Sequence, residues 1–450
     1  MALERQTRIR YTIAEAAQFV VEPGSDSELS DLEDGEDIEV ELEENSDDRV
    51  HIPAPINEEE DGEEEDLIPP TRTLKPEFKW KKEPELPDVS FTGSDFTLPD
   101  NANELTPLLY LKMFWDDSIT QNLVEQTNLY SVQQEGKGVS TTKEQIEQLI
   151  GIQMKMDVMK APNYKYYWAN RSRYEPVASI MPLKCYKKPR EFLHANDNAN
   201  KDDPANKGNR LYKVQPVLDG VRQNCLKLEL EPEPNHSIDE QIIPAKTKYS
   251  GIRQYNPKKP TKWGFKNFVR AGKSGMIYDF FIYTGAKSAD KEKCTSEAVV
   301  LKLCENLPKH CNHRLVFDNW FTTLNLCLLL KAQGYSVVAT VRKNRVAGCP
   351  LKNEQVLKKM GRGSFDYRTD SNSELHLVRW LDNSCVQLVS TFAGVKASKT
   401  VKRWDGKSSE HVHVKCPDLV ALYNETMGGV DLADMLIVYT AQRSKQKGGT

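Results

Sequence analysis

Asp239 stands inside an apolar, strand-like run, Ser237-Ile238-Asp239-Glu240-Gln241-Ile242-Ile243, and Asp318 closes a second one, Arg314-Leu315-Val316-Phe317-Asp318. Strands deplete aspartate, and a carboxylate among apolar side chains has to be paired or neutralised by a cation. Around these two acids the hydrophobic period is two, starting after His236. The pattern predicts a strand over 238–243 and a hairpin from Gly264–Val269 and Met276–Tyr283, turned at Ala271–Gly275. A helix over Ser296–Leu307, a strand over Arg314–Asp318, a helix over Thr323–Gln333 and a strand over Ser336–Val341 follow.

Three antiparallel strands, then helix, strand, helix and strand, is the order of a ribonuclease-H-like α/β domain, here over 236–345. In such a sheet the first and fourth strands are neighbours, so Asp239 and Asp318 converge. A second pair of acids, Asp431 and Asp434, lies three apart on one helix face after Gly428-Gly429. Taken singly, a strand-end Asp is a turn or cap residue and a helical Asp pair is a solvated face. Taken together and in this order, the four point to a carboxylate cluster that stays ionised only around hard cations, Mg2+ or Mn2+. Such ions activate water and stabilise the leaving 3′ oxygen in phosphodiester cleavage.

The rest of the chain divides by pattern. Residues 10–21 form a candidate amphipathic helix, and 1–100 as a whole are expected to be a disordered acidic region, with too little apolar surface to offset chain entropy. Residues 101–235 read as an all-helical domain. Thr106-Pro107 opens a first helix, Thr141 with Glu144 makes a capping box for a second, and Leu211 to Val221 carry a third. Residues 346–416 read as a β-rich insertion with a short helix at Leu351–Met360, and a final carboxylate-bearing helix lies within 417–450. No apolar run of about 18 residues is free of charges, so no membrane span is expected.

Charge is unevenly distributed. Residues 22–66 hold 22 of the 66 acids and one base, Arg49, which leaves 60 bases against 44 acids elsewhere, a net +16. A basic body with an acidic tail points to a polyanionic partner such as double-stranded DNA, with a solvated basic face as the plain alternative. Basic clusters occur at Lys184, Lys187, Lys188 and Arg190, and at Lys396, Lys399, Lys402 and Arg403. The expected DNA contacts are the sets flanking the carboxylates: Lys258, Lys259, Lys262, Lys266 and Arg270, and Arg342, Lys343 and Arg345. Trp263 and Trp320 are expected to pack in the core rather than to stack on a base.

Nine cysteines without a Cys-x-x-Cys pair suggest a reducing compartment. Cys304, His310, Cys311 and His313 have no standard zinc spacing, and Cys304 sits in an apolar periodic run, so no zinc site is expected.

The strings SIDEQ (237–241), FDNWFTT (317–323), TVRKNR (340–345) and YNETMGGVDLADM (423–435) resemble the piggyBac transposase family and host proteins derived from it. EQTNLY (125–130), FLHANDN (192–198) and RLYKVQPVLD (210–219) resemble the same family's helical region, so the likeness spans about 100–445. The resemblance implies a ribonuclease-H-like catalytic domain with a β-rich insertion, flanked by a helical dimerisation and DNA-binding domain. It also implies a homodimer, work in the nucleus, and cutting of DNA at terminal inverted repeats with rejoining at TTAA targets. By motif, Asp239, Asp318 and Asp431 would be the metal-binding carboxylates and Asp434 an additional acid nearby. Two departures stand out. The family pattern continues into further helices and a Cys-rich zinc-binding domain where this sequence stops at Thr450, and Lys155 and Asp157 interrupt a stretch that is usually apolar. Both lead to the expectation of a C-terminally shortened copy, or of a domesticated protein that binds DNA or chromatin without turnover.

Overall fold

The computed structural model describes residues 77–82, 90–93, 106–227, 233–245, 250–257, 259, 262–285, 296–396, 399–405 and 409–446. The expected helix at 10–21, most of the expected acidic region and Lys258 lie outside these residues. Within 1–100, one piece departs from the expected disorder. Strand β1 (Trp80–Lys81) pairs antiparallel with Asp370 and Thr369, and the Trp80 indole donates to the Ala347 carbonyl at 3.4 Å. Phe78 and Trp80 stack on each other at 5.4 Å and pack against the core, which is enough apolar burial to order a short segment.

Helices α1 (Pro107–Phe114), α2 (Asp117–Glu135), α3 (Lys143–Val158), α4 (Glu175–Ala178), α5 (Leu183–Glu191) and α6 (Gln215–Lys227) follow. The first three start on side-chain caps. The Thr106 hydroxyl accepts from the Leu109 amide and the Asp116 carboxylate from Ser118 and Ile119. The capping box of α3 is Thr142 with Gln145, one residue later than Thr141 with Glu144. Thr141 is instead buried, with its amide donating to the Asn128 side chain. Lys155 and Asp157 both face solvent, and Asp157 pairs with Lys160 at 3.5 Å. The buried face of α3 is Ile146, Leu149 and Ile152, so the two charges cost nothing in the core.

The remaining strands are β2 (Asn235–Pro244), β3 (Arg253–Tyr255), β4 (Trp263–Gly272), β5 (Ile277–Ile282), β6 (Arg314–Phe317), β7 (Ser336–Thr340), β8 (Phe365–Asp370), β9 (His376–Leu381), β10 (Cys385–Ser390), β11 (Lys399–Asp405) and β12 (Glu410–Cys416). Helices α7 (Ser296–Leu303), α8 (Leu324–Ala332), α9 (Glu354–Met360), α10 (Asp418–Thr426) and α11 (Gly429–Gln446) complete the chain. Ten strands form one mixed sheet in the order β1-β8-β9-β10-β7-β6-β2-β4-β3, with β5 also on β4. The parallel pairs are β2 with β6 and β6 with β7.

The β-rich segment 346–416 does not stand apart as an insertion. Its strands β8, β9 and β10 continue the sheet, because β10 pairs antiparallel with β7 and its Leu388 and Val389 are buried. Only β11 and β12 form a separate two-stranded ribbon. The single final helix expected from the pattern is two helices, α10 and α11, broken around Gly428-Gly429. One apolar layer, with Val299, Val300, Leu315, Phe317, Leu326 and Leu330, lies under α7 and α8. A second, with Val316, Val338, Val378, Leu388, Leu419 and Val420, lies under α10.

Candidate active site

The parallel register of β2 and β6 ends at Ile238 opposite Phe317. Asp239, still in β2, and Asp318, just past the end of β6, are the next residues along, so they stand side by side on chains about 4.8 Å apart. The Asp239 carboxylate accepts from the Glu240 amide at 2.8 Å and the Asp318 carboxylate from the Trp320 amide at 2.9 Å. Burial pushes the Asp239 carboxyl up to about 6, and the neighbouring Asp318 adds to the rise. Asp318 is also raised, chiefly by burial and further by Glu240. Two cations oppose these effects, Lys259 beside Asp239 and Arg342 beside Asp318. Tyr423, from α10, is held near both acids, and burial pushes its phenol up to about 12.

The two helical acids do not join this pair. The Asp434 carboxylate accepts from the Gln241 amide group at 2.6 Å, and Gln241 in turn accepts from Asn267 at 3.1 Å. The Asp431 side chain is 72% exposed and meets Lys259 at 3.8 Å. Lys259 thus acts on both acids, pairing with Asp431 and lowering the Asp239 pKa through its charge. Among the described residues no three His, Cys, Asp or Glu side chains converge on a metal position. Glu240, adjacent to the pair, went unnoticed in the sequence; the acid-in-an-apolar-strand signal that singled out Asp239 applies equally to it. It is occupied by Lys266 at 2.5 Å and by Asn256 at 3.2 Å.

The helix carrying Asp431 and Asp434 is seated by Gly429. A Cβ there would come within 2.4 Å of the Gly272 carbonyl oxygen and 2.5 Å of Ser237 Oγ. This contact brings Val430 onto Val269 and Ala271.

The expected DNA contacts separate by burial. Arg270 is 0% exposed; its guanidinium donates to the Leu303 carbonyl at 2.7 Å and lies 3.4 Å from the His236 ring nitrogen. It belongs to the core, because the second half of β4 is covered on both faces. Lys266 is held by Glu240 over the Trp320 and Phe268 rings, at 4.9 Å and 5.1 Å. Arg345 is spent on the Trp320 and Thr322 carbonyls. Lys262 is exposed, Arg342 reaches Asn319 at 3.4 Å, and Lys343 pairs with Glu354 at the surface. Trp320 packs against Phe268 at 5.7 Å as expected, but Trp263 is 47% exposed, with Arg253 over its ring at 4.2 Å. Cys304 packs in the core beneath the sheet, and burial pushes its thiol up to about 12.

A family model described as Transposase IS4 matches residues 106–448. Human PiggyBac transposable element-derived protein 3 is 29% identical over 437 residues, covering 94% of this chain and 70% of the relative. The chain belongs to the piggyBac transposase family. Human PiggyBac transposable element-derived protein 2, another relative, is 28% identical over 391 residues, which is 84% of this chain and 65% of that protein. A cryo-EM structure titled piggyBac transposase synaptic complex with hairpin DNA has the same fold. Its TM-score is 0.59 at 23% identity, and the match covers 74% of this chain and 68% of that one. The motif strings at 237–241, 317–323 and 423–435 thus sit in a piggyBac-type α/β fold, two of them at the paired strand ends and the third on α10 and α11. No helix among the described residues is long and apolar enough to cross a membrane.

Proposed function

We propose that this piggyBac family member binds double-stranded DNA in the nucleus and that its Asp239–Asp318 pair is a metal-dependent centre for cutting and joining phosphodiesters at TTAA sites, on a ribonuclease-H-like framework. The observation that carries this reading is the pair itself: two carboxyls side by side, both raised chiefly by burial, with no full ion pair to neutralise them among the described residues. A fold keeps such a costly arrangement where a ligand completes it.

The donor set fits a magnesium ion, which is commonly bound by one or two carboxylates plus substrate phosphates rather than by a protein cage. Asp239 and Asp318 would hold it. When bound, the ion lowers the barrier to attack on phosphorus by polarising the phosphodiester and the attacking oxygen. The chain's own contribution is positional. Glu240 and Trp320 amides fix the two carboxylates, and Arg342 and Lys262 offer positive charge to the flanking phosphates. Tyr423, high in pKa and adjacent to both acids, stays protonated and can donate a hydrogen bond to a bound oxygen.

A second reading, DNA binding without turnover, is favoured by one observation. Asp431, the third carboxylate by family pattern, points to solvent and is engaged by Lys259. One experiment separates the two: incubation of a TTAA-containing supercoiled plasmid with Mg2+ or Mn2+, using the wild type and Asp239→Asn. Nicking that needs both metal and Asp239 supports the catalytic reading. Retained salt-sensitive binding with no nicking supports the second.

A further inference from the structure

We propose that the outer face of the β11–β12 ribbon is a second contact surface for duplex DNA, separate from the carboxylate pair; this rests on the DNA-binding reading above. The register sorts the ribbon into two faces. Thr400 is opposite Lys415, Lys402 opposite His413 and Trp404 opposite His411, which places these six residues on one face. All six are exposed, and none is an acid. The opposite face carries Val401 with Val414 and Arg403 with Val412, and it packs on Leu419 and Val420 of α10. The basic cluster noticed in the sequence is thereby divided, with Lys402 outward and Arg403 inward.

An isolated two-stranded ribbon is marginal in water, yet this one is fixed. Asp382 accepts from Arg362 at 2.6 Å and from Arg403 at 2.9 Å, and the Trp380 indole donates to the Lys415 carbonyl at 2.9 Å. Gly363 passes so near that a Cβ would lie 3.2 Å from the Lys415 amide. A rigid ribbon with a cationic outer face matches the major groove, which admits two strands, while the lysines reach phosphates on either side. Trp404 is 55% exposed, with the His411 ring against it at 5.2 Å. So large an exposed aromatic at the far end of the ribbon supplies apolar contact to sugar and base edges.

The test is binding of the full chain to a short duplex, and to one of its strands alone, across about 50 to 200 mM salt, for the wild type, Lys402→Glu with Lys415→Glu, and Trp404→Ala. The substitutions are all at exposed positions, and circular dichroism checks that the fold is kept. The double variant is expected to bind at least about 10-fold more weakly, with a salt slope smaller by about 2, since each phosphate contact contributes about 0.9. Trp404→Ala is expected to weaken binding without changing the slope. Wild-type affinity and slope in both variants would overturn the ribbon while leaving the DNA-binding reading intact. Loss confined to single-stranded DNA would overturn the choice of duplex. Tighter binding by the double variant would mean that this face holds the chain's own acidic residues 22–66, and would overturn the proposal. A wild type that binds no DNA would remove both readings.

Discussion

Asp239 and Asp318 occupy equivalent positions on adjacent parallel strands, each one residue beyond the last pair of the ladder, Ile238 and Phe317. The acids thereby come close through main-chain register alone, without depending on a long flexible side chain.

The raised pKa of Asp239 sets a pH dependence of stability. Its folded value of about 6 lies above its ordinary value of 3.8, so the carboxyl's contribution is full below about pH 4 and is lost as pH rises through 6. At pH 7.5 the buried charge costs about 2 to 3 kcal/mol. Asp239→Asn is therefore expected to raise the metal-free Tm at pH 7.5 and to leave it nearly unchanged at pH 4. Thermal scans at both pH values check this, and equal shifts at the two would refute it.

Divalent metal should narrow that advantage. At about ten times its Kd, Mg2+ stabilises the wild type by about 1.4 kcal/mol by linkage, and Asp239→Asn should gain little. Lys259→Met, which removes the cation that acts on both Asp239 and Asp431, is expected to shift the Mg2+ titration midpoint to lower concentration. Calorimetric titration would show this, and an unchanged or higher midpoint would argue that Lys259 does not compete for the site.

Arg270→Ala should act on stability alone. Loss of a fully buried guanidinium and its bond to the Leu303 carbonyl is expected to cost about 3 kcal/mol in denaturant unfolding. DNA affinity per folded molecule should stay at the wild-type value, in contrast to a surface cation such as Lys262.

Gly429→Ala is expected to destabilise by about 2 kcal/mol or more, because the nearest obstacle to the new methyl is the backbone oxygen of Gly272 at 2.4 Å. A substitution at Gly394, where nothing lies within 4 Å, serves as the comparison in the same urea titration.

The two strand acids were legible because an acid within an apolar alternating run is a local anomaly. Apart from the short strand β3, which no pattern announced, the helix and strand order from Asn235 to Thr340 was legible for the same reason, since periodicity is a local property. What failed is non-local. Arg270 looks like part of a basic cluster in the sequence, and only the covering of β4 on both faces reveals it as core. That β10 would pair with β7 cannot be read from either strand alone, so a β-rich stretch looked like a separate unit. The position of Asp431 depends on how α11 seats on Gly272, a packing event, and three-residue spacing on a helix says nothing about which way that helix turns.

Strand β1 lies against β8, which has β9 on its other side. Without Trp80 and Lys81, the outer row of amides and carbonyls of β8 would be open to any extended chain, the geometry through which sheets stick to one another. The chain thus carries its own edge guard just downstream of its most acidic stretch. A shortened version intended only to remove the charge of 22–66 should begin before Glu77; starting later would exchange an electrostatic experiment for an aggregation-prone protein.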